Sequence, residues 1–289
     1  MRPRRSTINQ AVLIALLVLL GVFTLFPFAM TLLISQKSNA ELLTRFFAWP
    51  EQFRPEYYTD AYAFVVRYIV NSLVNGVAVV AGVVFLSSIS GYAFARINFR
   101  GRKQAFLLII ALLMVPGILT LVPAYKWYNM LPFVGGNNWL GYGGDGLLNK
   151  RLVLIIPYIA GGQIFGIFLC RTFFEQLPNE LFEAARIDGA TEFGAYRYLA
   201  LPLSVPILAT LAIMTAVGQY NDYIWPSVAM SDNKLQVFAV GVTLFGVEGN
   251  LDQGPQMAGF VIGSIPLVLI FAFGMKYYIE GLTKGGLKA

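Results

Sequence analysis

Seven residues stand at fixed spacing in the polar stretch that follows the fourth apolar run of this chain. They are Glu183, Ala184 and Ala185, then Gly189, then Leu199, and finally Leu201 with Pro202. The chemistry these types offer is recognition rather than bond making. Pro178 and Asn179 interrupt the chain, and Asn179 is a good N-cap for a helix. Glu180 and Glu183 fall in its first turns, where the helix dipole favours anions. Leu181, Ala184, Ala185 and Asp188 recur at helical spacing, so they share one face. Two adjacent alanines make that face flat enough for close approach. Gly189 ends the helix as a residue free to take positive φ. Thr191 caps a second helix over 192–199, and Pro202 opens the next apolar run near its first turn. So ordered a helix–turn–helix outside a bilayer implies that something docks there; a surface hairpin without a partner is the bland reading.

A second set of polar side chains lies inside apolar runs. Asn71 and Asn75 share a helical face, and Gln163 and Gln219 lie in later runs. Such amides either hydrogen-bond between helices or line a path for a polar solute. Tyr220, Asn221 and Trp225 gather with Asp222 and Tyr223 at the end of another run. An aromatic belt is expected there, and carbohydrate stacking is the second reading. Gly162 with Gly166, and Gly259 with Gly263, are G-x-x-x-G pairs that read as close helix packing.

Catalytic constellations are missing. There is no histidine and a single cysteine, Cys170, so a histidine metal site and an internal disulfide are both excluded. No G-x-x-x-x-G-K-[ST] is present, so the chain supplies no P-loop for ATP, and the metalloprotease and serine-hydrolase signatures are absent too. The net charge of +6 needs no nucleic acid, because aromatic and basic residues are not interleaved.

The elements that must position these residues are membrane helices. Charged residues make up 12% of the chain, against about 25% in soluble domains. Six uncharged runs, 6–36, 68–95, 104–125, 152–170, 198–221 and 253–275, come close to the roughly 20 residues a spanning helix needs. The expected fold class is an all-α integral membrane protein with six transmembrane helices. The spans run about 8–34, 68–95, 104–125, 152–171, 201–221 and 255–276, within one membrane domain over 1–289. Residues 172–200 form a polar loop. Residues 235–247 are too short to span and read as an amphipathic or re-entrant element, and 127–144 are broken by glycine and asparagine. The first run is too long for a signal peptide and lacks a cleavage site, so it reads as a retained span. With the N-terminus inside, inside segments hold 13 Lys and Arg and the longer outside loops hold 8, which places both termini in the cytoplasm.

The loop 183–202 resembles the EAA loop of ABC importer permeases, whose pattern is EAA-x3-G-x9-I-x-LP. Only Leu199 departs from it, in place of Ile. The resemblance covers nearly the whole chain. Phe94, Ala95 and Arg96, followed by Phe99, Arg100, Gly101 and Arg102, look like the loop after the second span in sugar-importing permeases. The Asn221 to Pro226 stretch looks like their fifth-span exit, and the Gly281 to Gly286 stretch like their tail. The chain is most similar to the smaller permease of the carbohydrate, maltose-type (CUT1) family, with a longer outer loop near 135–149.

That resemblance implies a type I ABC importer permease fold. Glu183, Ala184, Ala185, Asp188, Gly189, Leu199, Leu201 and Pro202 would be the coupling residues that meet a cytoplasmic ATPase. The implied partners are a second homologous permease, two copies of that ATPase, an extracytoplasmic solute-binding protein, a sugar and membrane lipid, with no nucleic acid. The chain would bind no cofactor and would not be an enzyme, ATP and Mg residing on the ATPase. Its place would be a bacterial or archaeal cytoplasmic (inner) membrane. Asn71, Asn75, Gln163, Gln219, Tyr220, Asn221 and Trp225 would line the substrate pathway. The absence of ionisable groups in the spans favours a neutral or weakly acidic oligosaccharide or monosaccharide. The alternatives are a permease for a non-sugar solute such as a polyamine or glycerol phosphate, and, more remotely, a secondary transporter or a membrane scaffold.

Overall fold

A computed structural model describes residues 4–248 and 253–286, with side chains over 10–245 and 253–277. Arg2 and the side chains of the 281–286 tail lie outside the described residues. Every regular element among those described is helical. The first long helix is α1 (Arg4–Ile34), followed by short α2 (Asn39–Thr44) and long α3 (Pro55–Arg96). Next come α4 (Arg102–Leu113), a 3-10 turn over Gly117–Thr120, and α5 (Leu121–Asn129). A second 3-10 turn, Arg151–Leu154, leads into α6 (Ile156–Gln176). The polar loop holds α7 (Asn179–Ile187), α8 (Glu192–Ala195), a π-helical turn Tyr196–Ala200 and α9 (Leu201–Leu203). The rest is α10 (Val205–Asn221), α11 (Ile224–Ala229), α12 (Phe238–Glu248) and α13 (Gln253–Gly286).

Among the described residues four helices are long and apolar enough to cross a membrane unbroken, and two bent helix pairs pass the same test together, which makes six spans when each pair counts as one. The expected span 104–125 turns by 93° between Arg102–Leu113 and Gly117–Asn129. Pro116 caps the second piece in extended backbone (ψ 126°), a conformation that stops α4. The expected span 201–221 is bent by 74° between Glu192–Leu203 and Val205–Asn221. Pro206 has no N–H for the carbonyl of Pro202, so the ladder breaks at Ser204, whose hydroxyl donates to Leu201 O at 2.9 Å. The helix expected over 192–199 therefore continues through the π turn to Leu203. In the other direction, α3 is longer than its apolar run. Hydropathy marks only the part that needs an apolar solvent, whereas the helix continues toward Pro55 through Glu56 and Asp60.

The chain divides into two compact units, Met1–Val66 with Val242–Ile265, and Arg67–Gly241 with Pro266–Ala289. The first is centred on Ala61, Phe245 and Ala258, with Tyr57, Phe64 and Ile262 around them. In the second, α3 meets α6 through glycine. A Cβ on Gly91 would fall 2.5 Å from Cys170 Cβ, and one on Gly166 would fall 2.2 Å from Ser87 Oγ. Gly162 likewise abuts Val83, so the Gly162 and Gly166 pair serves packing within the chain.

Candidate functional site

The first helix of the loop between α6 and α10 is built around one buried side chain. Phe182 is the only buried residue of α7 and joins Tyr92, Phe174 and Tyr196 in a core cluster. Its ring also carries the guanidinium of Arg96, 4.3 Å from the ring centre. Arg96 ends α3. Its Nε donates to Phe174 O at 3.0 Å, and its terminal nitrogens donate to Phe174 O, Leu177 O and Asn179 Oδ1. The first two acceptors are carbonyls at the C-terminus of α6, where a cation is favoured; Phe174 O also accepts from Leu177 N–H at 3.4 Å. One side chain thus ties together the ends of α3 and α6 and the start of α7.

This corrects the expected cap. Pro178, not Asn179, precedes the first helical residue, and the Asn179 side chain is turned to Arg96. The far end agrees with expectation. Gly189 has φ +83°, Gly189 N–H donates to Arg186 O at 3.0 Å, and Ala190 N–H donates to Ala185 O at 2.9 Å. That double closure is the Schellman arrangement. Thr191 then caps α8 by accepting from Gly194 N–H at 3.1 Å. Arg186 pairs with Glu192 at 3.0 Å, fastening α7 to α8.

The motif residues separate into two groups. Glu183, Ala184, Asp188 and Gly189 are exposed, and Ala185 is half-buried. Leu199 and Leu201 pack against the core cluster, so they support the loop from beneath rather than present a surface. Pro202 is exposed on α9. Sequence reasoning missed Ile187, which is 86% exposed and completes an outward apolar strip with Leu181 and Ala184. Its signal was the helical spacing from Ala184, obscured because Ala185 was assigned to the outer face. Arg96 and Phe182 were also missed as a pair; their contact joins residues distant in sequence.

The second set of polar residues divides too. Gln219 is buried at 4% exposure and borders two recesses on either side of α10. One, of about 440 Å³, is lined by Val79, Tyr158, Gly161, Thr215, Gly218 and Asp222 among others. The other, of about 420 Å³, lies against Ser72, Gly76, Ala216 and Tyr220. Asp222 accepts from Tyr158 Oη at 2.7 Å, so an ionisable pair borders the first recess where an uncharged lining was expected. Asn71 and Asn75 are buried, and their Oδ1 atoms accept from Arg151 at 3.1 and 3.2 Å. Asn71 Nδ2 also donates to Lys234 O and Gln236 O, which makes Asn71 a brace. Gln163 is half-buried on α6, its backbone carbonyl accepting from Ser87 Oγ at 3.5 Å.

Two positions depart from the expected lining, and a third keeps it only in part. Trp225 is buried, donates Nε1–H to Val153 O at 2.8 Å and packs on Tyr128, so it belongs to a core rather than to an aromatic belt or an open wall. Tyr220 borders the second recess but is itself buried and stacked on Phe238, with ring centres 5.5 Å apart. Asn221 is exposed but turned back on its own helix, donating to Val217 O at 3.0 Å. Burial overrides the end-of-run position in the first two, and backbone capping in the third.

Comparison with known proteins follows the same lines. Residues 63–284 match the family described as binding-protein-dependent transport system inner membrane component. The trehalose/maltose transport system permease protein MalG of Thermococcus litoralis is 29% identical, with 99% of this chain and 99% of that protein aligned. The arabinooligosaccharides transport system permease protein AraQ of Halalkalibacterium halodurans is 33% identical over 75% of this chain and 72% of that protein. Among solved structures, a chain of a bacterial ABC transporter involved in the import of the acidic polysaccharide alginate matches with a TM-score of 0.75 at 21% identity, covering 96% of this chain and 99% of that one.

Proposed function

The chain belongs to the family of binding-protein-dependent transport system inner membrane components, a multi-pass inner-membrane family, and from that membership we propose that it is the permease subunit of an ATP-driven sugar importer. The observation that carries the reading is the exposed face of α7. Leu181, Ala184, Ile187 and Asp188 point away from a loop whose opposite side is locked to the ends of α3 and α6 by Phe182 and Arg96. A rigid, outward apolar strip beside the membrane suits a cleft on a cytoplasmic ATPase. Closure of two such ATPases on ATP would push α7, and Arg96 would pass the push to the spanning helices as a rigid-body movement. A second, homologous permease would complete the path, and an extracytoplasmic binding protein would deliver the solute. Both termini would then be cytoplasmic. This chain would bind no cofactor and hydrolyse nothing.

The transport named for the relatives, of maltose, trehalose and arabinooligosaccharides, supports a hydroxyl-rich solute. So does the recess that Gln219 borders, with its amide, threonine and tyrosine–aspartate lining. A neutral or weakly acidic sugar passing Gln219 fits these walls. A strongly cationic or multiply anionic solute would need more compensating charge than they offer.

The test is reconstitution of the chain with its ATPase, second permease and binding protein in proteoliposomes. Uptake of labelled sugar should require ATP and the binding protein together. Ile187→Cys should cross-link to the ATPase. Sugar flux that persists without ATP, with no cross-link at position 187, would overturn the proposal.

A further inference from the structure

The loop between α1 and α3 is too short to be a domain, yet it is thoroughly built. Ser38 and Glu41 form a reciprocal cap on α2, Ser38 N–H donating to Glu41 Oε2 at 2.8 Å. The buried Glu41 carboxylate also accepts from Glu51 N–H at 2.8 Å and from the Arg54 guanidinium. Lys37 is wholly buried and donates Nζ to the carbonyls of Arg45 and Phe46, each at 2.8 Å. Arg54 N–H donates to Gln36 Oε1 at 2.8 Å. The polar groups of the loop are thus turned onto one another.

Its outer side is the reverse. Leu43 is 88% exposed, Phe47 75%, Trp49 82% and Phe53 80%. Phe46 is exposed as well and meets Phe47 edge to face, with ring centres 5.0 Å apart. Arg45 pairs with Glu51 on this side, and both are open to solvent. A folded segment does not present this many large apolar side chains to water without a partner.

We propose that residues 43–53 are an interfacial anchor whose aromatic side chains seat in the headgroup and upper acyl layer of the membrane. Position argues for lipid. The patch follows closely on Ile34, where the first span ends, so the chain tethers it near the bilayer surface on that side. The apolar segment Gln10–Ile34 leading to it has none of its most apolar window buried in the chain, so the patch continues a surface that already faces outward at membrane depth. Chemistry argues the same way. Trp and Phe collect at membrane interfaces, and that environment asks for no directional hydrogen bonds. A protein partner would be met by several polar groups at a rim, and here Lys37, Ser38, Glu41 and Arg54 are spent inside the loop, which leaves the Arg45 and Glu51 pair beside the aromatic side chains. The buried Lys37 fixes the backbone at Phe46, so the aromatic side chains are held out by a rigid frame.

The experiment is fluorescence quenching on the full chain in proteoliposomes. The difference in tryptophan emission between the unaltered chain and Trp49→Phe isolates Trp49. That difference should fall at least twofold in phosphatidylcholine brominated near the headgroup end of its acyl chains, and aqueous iodide should barely reach it. A nitroxide on Phe47→Cys should relax faster with oxygen than with a water-soluble nickel chelate. Quenching by iodide and not by bromolipid, with faster relaxation by nickel, overturns the proposal. Shielding from both quenchers overturns it too, and if that shielding appears only on adding the solute-binding protein, it assigns the patch to protein docking.

Discussion

The guanidinium of Arg96 stands 4.3 Å from the centre of the Phe182 ring while its nitrogens bond the last carbonyls of α6. A residue of α3 is therefore the link between α7 and the spanning helices. Hydrogen bonds to a charged group contribute about 1.5–3 kcal/mol, and the cation–π contact about 0.5–2 kcal/mol. Removing Arg96 also takes the guanidinium donor from Leu177 O and leaves Phe174 O with only the Leu177 N–H. Arg96→Ala should leave the chain inserted but lower ATP-driven uptake at least tenfold relative to ATP hydrolysis. Arg96→Lys, which keeps charge but not the fork, should recover part of it. An unchanged ratio of sugar moved to ATP hydrolysed in Arg96→Ala would remove this link from the mechanism.

Glu183 is exposed in α7, on the loop that the coupling reading turns toward the ATPase. Glu183→Lys reverses a surface charge and disturbs no packing in the chain. It should express and insert normally yet abolish transport. Uptake assayed at matched membrane levels decides the matter, and normal uptake sinks the idea.

Gly189 holds φ at +83°, a region where L side chains are strained by about 1–2 kcal/mol. A Cβ there meets nothing within 4 Å, so any effect of Gly189→Val comes from the backbone alone. The variant should tilt α7 against α8 and reduce ATPase co-purification. Gly189→Asn, which tolerates this conformation, should retain it. Equal recovery of the ATPase with both variants would contradict the turn's mechanical role.

Gln219 and Asn221 are no longer equivalent. Gln219 borders both recesses, whereas the Asn221 amide is bonded to its own helix. Gln219→Leu should slow uptake roughly two- to tenfold, the effect of losing one hydrogen bond of about 0.5–1.5 kcal/mol to the moving solute. Asn221→Leu should have little effect, and the affinity of the binding protein should stay constant. Transport kinetics of the two single variants give the answer; the reverse order would move the path to the other side of α10.

The backbone N–H of Ser38, with Glu51 N–H and Arg54 adding to it against the opposing effect of burial, lowers Glu41 from 4.5 to about 2. A carboxylate depressed on folding stabilises the fold above its unfolded value and loses that contribution as pH falls through its folded value. Thermal unfolding should therefore drop between pH 4.5 and 2. Glu41→Gln should start lower at neutral pH and show a shallower decline over this window. A parallel decline in both proteins would show that Glu41 is not the titrating group.

The sequence by itself determined the class of molecule and the position of its ordered polar loop. Long uncharged runs permit only a membrane solvent, and local rules place Gly189, Thr191 and the start of α7 within a residue. Those signals are carried by neighbours in the chain, so a linear reading reaches them. Tertiary structure decided everything that depends on distant partners. It gave Arg96 and Phe182 their contact, moved Leu199 and Leu201 beneath the loop, and buried Trp225 against Val153. It bent two of the six expected spans, because hydropathy reports the solvent a segment prefers and is silent on its direction. It also separated Gln219 from Asn221. Two amides on one helix are alike in sequence, and only the elements packed around that helix determine which of them faces a recess.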